Sequence, residues 1–162
     1  MSTILNTNGE KLHIPEPLSV SYEIHIVTAS WNSEVTHILR DGAVDTLLQA
    51  GIRRENITLH DVPGTVELIN AAAAIKTRLH PSAIIIIGCV IRGDTPHFDY
   101  VCMQAAQGTA ILNAEGTTPV IFGVLTVDNL TQAQERAGGI LGNKGSEAAC
   151  AAIEMANLHN RI

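Results

Sequence analysis

The sequence predicts an α/β protein, a three-layer sandwich with helices on both faces of a parallel sheet. Three observations lead there. AIIIIGCVI (83 to 91) and PVIFGVLTV (119 to 127) are β-branched runs without alternation, as strands buried on both faces require. Segments of helical period separate the candidate strands one at a time, the pattern of right-handed βαβ crossovers. The chain has 162 residues, the size of one ordinary domain that closes its own core.

The first fifteen or so residues stand outside this pattern and hold Pro15 and Pro17, so they are expected to form an arm that needs a partner to be ordered. YEIHIVTA (22 to 29) alternates apolar and polar residues before turning apolar, and reads as the first strand. A helix follows, with Asn32 as its cap, Val35, Ile38, Leu39, Gly42, Thr46 and Leu47 on its period, and Gly51 closing it. ITLHDV (57 to 62) is a weaker second strand. Leu68, Ala72, Ile75 and Leu79 define the next helix, which ends at Pro81. After the third strand, 83 to 91, Thr95 is expected to cap a helix with Pro96 at its first position and Phe98, Val101, Ala105 and Leu112 on one face. The fourth strand leads to two more helical stretches, roughly 129 to 137 and 144 to 158, separated by GGILGNKG.

Composition excludes several classes. Net charge is −6 and no cluster of Lys or Arg occurs, so the electrostatic footprint of a nucleic-acid binder is missing; aromatics at 3% make base-stacking platforms improbable too. Cys89, Cys102 and Cys150 form an odd, scattered set without CxxC, which fits reduced, buried thiols in a cytoplasmic protein. The seven histidines show no HxxxH or HxH spacing, so no metal site is expected. GxGxxG and GxxxxGK[ST] are absent, which removes the common dinucleotide and P-loop readings. The N-terminal segment has no basic region followed by an apolar one, and the longest apolar run is too short to cross a bilayer. A mean hydropathy of +0.19 is high for a soluble monomer, so copies of the chain are expected to cover apolar surface.

In an open α/β sheet, ligands sit outside the carboxyl ends of the strands. Ser30-Trp31-Asn32 follows the first strand, Pro63-Gly64-Thr65-Val66-Glu67 the second, Arg92-Gly93-Asp94-Thr95-Pro96-His97 the third and Asp128-Asn129 the fourth. An indole, a carboxylate and an imidazole on one rim suit a flat heterocycle that carries hydroxyls. The third loop has the chemistry of an anion site: Gly93 allows close backbone approach and free amides at the helix start suit a phosphate. His97, in the first turn, is either an ordinary solvated residue or a group that exchanges protons with substrate. Arg136 either favours a helix C-terminus or clamps a phosphate, and NKGSE (143 to 147) is either a plain helix start or part of a site.

GCVIRGDTPHFDYV, PGTVEL, PVIFGVLT, QAQERAG and GNKGSEAA…AIEMANL, in this order, closely resemble the lumazine synthase family from about residue 22 to 158. The resemblance implies a flavodoxin-like fold, with residues 1–17 an arm that pairs with a neighbouring subunit and 18–162 a single domain. It implies pentamers that sometimes form icosahedral shells, with active sites between subunits. The implied reaction condenses 5-amino-6-(D-ribitylamino)uracil with 3,4-dihydroxy-2-butanone 4-phosphate to 6,7-dimethyl-8-ribityllumazine, the penultimate step of riboflavin biosynthesis, without a cofactor. Carried onto this sequence, Trp31 stacks on the pyrimidine, Asn32, Thr65, Val66 and Glu67 hold polar and ribityl groups, and Cys89, Val90 and Ile91 line the pocket. Phe122 closes it from the neighbour, Asp94 and Thr95 bind the phosphate with the neighbour's Arg136, and His97 moves protons.

Three departures from the family pattern stand out. Trp31 replaces a commoner Phe, Val66 lacks the usual aromatic, and Asp94 puts a carboxylate in the phosphate loop, where its side chain is expected to point outward. The alternative to catalysis is a riboflavin- or lumazine-binding, or shell-forming, homologue that turns over poorly. The short 138 to 142 segment lacks the insertion associated by resemblance with pentamers that build no shell.

Overall fold

A computed structural model, which describes residues 12–162, has four parallel strands in one sheet of order β2-β1-β3-β4. They are β1 (Ile24–Ala29), β2 (Ile57–Val62), β3 (Ala83–Ile91) and β4 (Val120–Val127), joined through α1 (Ser33–Gln49), α2 (Glu67–Leu79) and α3 (His97–Ala114). After β4 come α4 (Leu130–Arg136), a small hairpin of β5 (Ala137–Gly139) and β6 (Gly142–Asn143), and α5 (Lys144–His159). The winding reverses between β1 and β3, the doubly wound arrangement expected.

Two apolar cores result. Val35 and Leu39 of α1 and Ala152 and Ile153 of α5 cover one face of the sheet, and Leu68 and Ala72 of α2 with Leu112 of α3 cover the other. The oily β3 supplies both: Ile85 and Ile87 enter the first core, Ile84 and Ile86 the second, and all four are fully buried. Burial of each contributes about 2 kcal/mol. Its register with β1 (Ile26 opposite Ile85) and with β4 (Ile85 opposite Ile121) keeps the carboxyl ends of the three strands together at one edge. α5 approaches α1 so closely that a Cβ at Gly145 would collide with the Leu39 carbonyl oxygen, so only glycine fits there.

Several local expectations need correction. Asn32 does not cap α1 with its side chain; it adopts the left-handed conformation (φ 57°), and its amide is used elsewhere. Ile38 is exposed, while Thr36 and Ala43 turn inward, because α1 packs along a stripe shifted from the one its largest residues suggest. Thr95 forms no cap either: α3 begins at His97 after Pro96, and Thr95 has no hydrogen bond within the described residues. The segment between the last two helices forms the β5–β6 hairpin, which starts at Ala137, one residue before GGILGNKG, and has Gly138 and Gly142 at positive φ. Asn143 accepts the Gly145 and Ser146 amides and caps α5. At the N-terminus, Asn157 of α5 accepts the Leu18 amide and donates to the Glu16 carbonyl, so residues 16–18 lie along their own domain. The expected pairing of the arm with a neighbour falls mostly on residues outside the described ones.

Candidate active site

The loops after β1, β2 and β3 meet around a cleft of about 420 Å³. Trp31 stands at its mouth, 73% exposed, an unusual position for the chain's only indole. The Ser30 amide donates to the Val62 carbonyl and the Trp31 amide to that of Pro63, which joins the ends of β1 and β2. Asn32 then bridges toward β3: its Nδ2 donates to the Cys89 carbonyl at 2.8 Å. An asparagine serves both demands, because it tolerates left-handed backbone and has an amide to give.

The second wall comes from residues 63–67. Thr65 is buried against β3, at a point where β3 has Gly88; a Cβ there would lie 2.9 Å from Thr65 Oγ1 and 3.1 Å from Leu68 Cδ1. Gly88 thus lets the β2–α2 loop settle on the strand, and leaves Val66 and Glu67 exposed at the cleft. Gln104 of α3 donates to the Val66 carbonyl at 3.2 Å and ties this wall to the opposite one. The floor is Cys89, Val90 and Ile91. Burial first, then the Glu34 carboxylate, pushes the Cys89 thiol up to about 11, so it lines the cleft as a small apolar group and not as a thiolate.

The third wall is the β3–α3 loop with Gly93, Thr95, His97, Phe98 and Val101. Neither Asp94 nor Thr95 forms a hydrogen bond within the described residues, so the amides of both remain available to an anion. His97 is exposed at the start of α3, accessible to a substrate.

The structure therefore brings together Trp31, Asn32, Thr65, Val66, Glu67, Cys89, Val90, Ile91, Thr95 and His97, and leaves Asp94 exposed on the loop just outside the lining. Phe122 and Arg136 are not part of this cleft. They line a second one, about 580 Å³, along the free edge of β4, with Lys144 and Glu147 of α5. There Lys144 Nζ donates to both Glu147 oxygens (2.8 and 2.9 Å), and Arg136 Nη1 donates to the Gln132 carbonyl at 3.0 Å. Phe98 and Val101 line the first cleft although the sequence points to them only as core positions of α3, whereas Pro63, Gly64 and Gly93 come from the rim loops and Lys144 and Glu147 from the NKGSE segment, whose reading as part of a site their place in the second cleft favours. Helical period had placed Phe98 and Val101 on the inner face of α3, and they are the part of that face the cleft uses.

An open parallel sheet with such a cleft at the point where its winding reverses, lined by an indole, a carboxylate and an imidazole, defines a small-molecule-binding protein of the doubly wound α/β class. A family model for 6,7-dimethyl-8-ribityllumazine synthase matches residues 21–160. The chain is 51% identical over 142 residues to a 6,7-dimethyl-8-ribityllumazine synthase of Porphyromonas gingivalis, covering 88% of each chain. It is 54% identical over 130 residues to a protein of the same name from Bacteroides fragilis, covering 80% of this chain and 91% of that one. A Phocaeicola vulgatus protein of that name is 45% identical over 146 residues, 90% of this chain and 87% of its own. The chain belongs to the 6,7-dimethyl-8-ribityllumazine synthase family.

Proposed function

We propose that this chain condenses 5-amino-6-(D-ribitylamino)uracil with 3,4-dihydroxy-2-butanone 4-phosphate, releasing 6,7-dimethyl-8-ribityllumazine and phosphate. The observation that supports it best is the grouping of Trp31, Glu67, Thr95 and His97, from the loops and helix starts that follow three different strands, around one cleft. Each group has a use in this chemistry. The indole offers a face to the pyrimidine, and the Glu67 carboxylate with the 65–67 backbone suits ribityl hydroxyls. The Asp94 and Thr95 amides suit the phosphate. Attack of the 5-amino group on the ketone gives an imine and releases water, phosphate leaves by elimination, and the ribitylamino nitrogen closes the ring on the resulting carbonyl with loss of a second water; His97 takes and returns the protons. No step needs a cofactor, and holding two substrates side by side supplies a large part of the rate.

The reading extends to the assembly. Phe122 and Arg136 line a cleft of their own on the β4 edge, and in this proposal that edge docks against the Trp31–His97 cleft of a neighbouring subunit, where Arg136 meets the phosphate and Phe122 closes the ring pocket. Pentamers are the assembly proposed, with an icosahedral shell favoured by the short 138–142 segment, and the arm adds a strand to a neighbour's sheet. Unpaired Cys89, Cys102 and Cys150 favour the cytoplasm. Among the described residues no helix is long and apolar enough to cross a membrane.

Incubation of the purified protein with both substrates tests the activity through lumazine absorbance. Product at micromolar protein is the expected result. No product, together with tight riboflavin binding seen by Trp31 fluorescence quenching, would favour a flavin-holding protein instead. Sedimentation velocity tests the assembly, and an isolated pentamer would overturn the shell.

A further inference from the structure

Arg92 is the first residue beyond β3, and its amide donates to the Val127 carbonyl at 2.9 Å, closing the ends of β3 and β4. Its guanidinium then reaches three groups. Nε donates to Asp128 Oδ1 at 3.1 Å, Nη1 donates to Asp99 Oδ1 at 3.3 Å, and Cζ lies 4.0 Å from the centre of the Phe98 ring. Asp128 follows β4, whereas Phe98 and Asp99 belong to the first turn of α3. With two carboxylates around it the guanidinium is already neutralised, which makes it a poor choice to hold a substrate anion and a good one to hold protein.

The loop it begins has little else to define it. Residues 93–96 are all exposed, and Asp94 and Thr95 have no hydrogen bond within the described residues. The loop's course is therefore set at its two ends. Arg92 is one end, and through Phe98 and Asp99 it also grips the other. Exposed ion pairs contribute little to stability singly, but a planar fork shared between two carboxylates and stacked on a ring fixes direction as well as distance. His97 precedes Phe98 in the chain, so a shift of that first turn carries the imidazole with it.

We infer that Arg92 is a positioning residue, a clasp that binds the ends of β3 and β4 to the first turn of α3 and thereby aims His97 into the cleft. Its kinetic consequence rests on the reading of His97 as the proton carrier, and its structural consequence on geometry alone. Arg92→Lys keeps the charge but replaces the fork with a point charge that cannot serve both carboxylates and the ring. In the full-length protein this variant should lower kcat for lumazine formation about fivefold, leave KM for the ribitylaminouracil within about twofold, and change kcat less than about 1.5-fold in a His97→Ala background. A residue that merely stabilised the fold would act equally in both backgrounds. Amide exchange over residues 92–104 should speed at least about threefold in Arg92→Lys, with peptides from β1 and α1 unchanged. Asp128→Asn removes one arm of the clasp and should show the same pattern at smaller size, which covers the case of Arg92→Lys folding poorly. Equal kinetic losses in both backgrounds, or unchanged exchange over 92–104, would overturn the clasp. A parent protein that makes no lumazine would remove the catalytic reading instead, and hydrogen exchange would then decide the clasp by itself.

Discussion

His97 occupies the first position of α3, beside amides that suit a phosphate and across the cleft from an indole that suits a ring. If it only moves protons between two substrates already held together, His97→Ala should lower kcat by about 100-fold and still leave measurable turnover. Steady-state lumazine formation checks this, and a variant as fast as the parent would contradict the role. Trp31 is largely exposed and lines the cleft, so Trp31→Ala should raise KM for the ribitylaminouracil by up to about tenfold while kcat changes little. Asp94 is exposed and has no hydrogen bond or ion pair among the described residues, a negative charge beside the proposed phosphate amides. Asp94→Asn should lower KM for the butanone phosphate, more at low salt than at high. At this scale the members of the candidate cleft are legible because loops after the strands of an open parallel sheet meet at one rim, and an indole, a carboxylate and an imidazole together there exceed the ordinary polarity of loops. Asn32 is the exception: its residue type suits a helix cap and a left-handed bridge alike, and only the position of the Cys89 carbonyl decides between them.

Elements hold the site through two contacts that sequence patterns do not display. On β1 and β2, His25 Nδ1 and His60 Nε2 are 2.9 Å apart with the rings stacked. Burial, and next the neighbouring His60, hold His25 below its ordinary value of 6.5, with Glu23 opposing. The unfolded chain therefore takes up the proton first, so this contribution to stability is complete above pH about 6.5 and is lost as pH falls below it. The thermal midpoint should drop on acidification from about pH 7, and His60→Gln should shrink that drop without removing it, since burial is the larger cause. The second contact is the crossing of α1 and α5 at Gly145. A methyl group there meets backbone, so Gly145→Ala should destabilise the fold by about 3 kcal/mol or more in denaturant unfolding. Strand identity was clear from β-branched runs. The β5–β6 hairpin was hidden because five of the seven residues over 137–143 are glycine, alanine or asparagine, which have no strand pattern to show.

Across the whole molecule, the described residues of an acidic, apolar-rich chain form a cleft at the carboxyl ends of β1 and β3 and another along the edge of β4. Hydropathy alone suggested that copies cover each other, but no sequence pattern separates residues that share a cleft from residues that line opposite sides of a subunit. The resemblance placed Phe122 and Arg136 on a neighbour, and their location in the second cleft accords with that proposal. The most direct test mixes two damaged subunits. His97→Ala and Arg136→Ala proteins are unfolded together at equal amounts, co-assembled, and assayed for lumazine formation. If each site takes His97 from one subunit and Arg136 from the next, about one quarter of the mixed sites regain both groups and activity rises to about that fraction of the parent's. Activity that stays at the average of the two separate variants, beside an active parent refolded in the same way, would contradict a site shared between subunits.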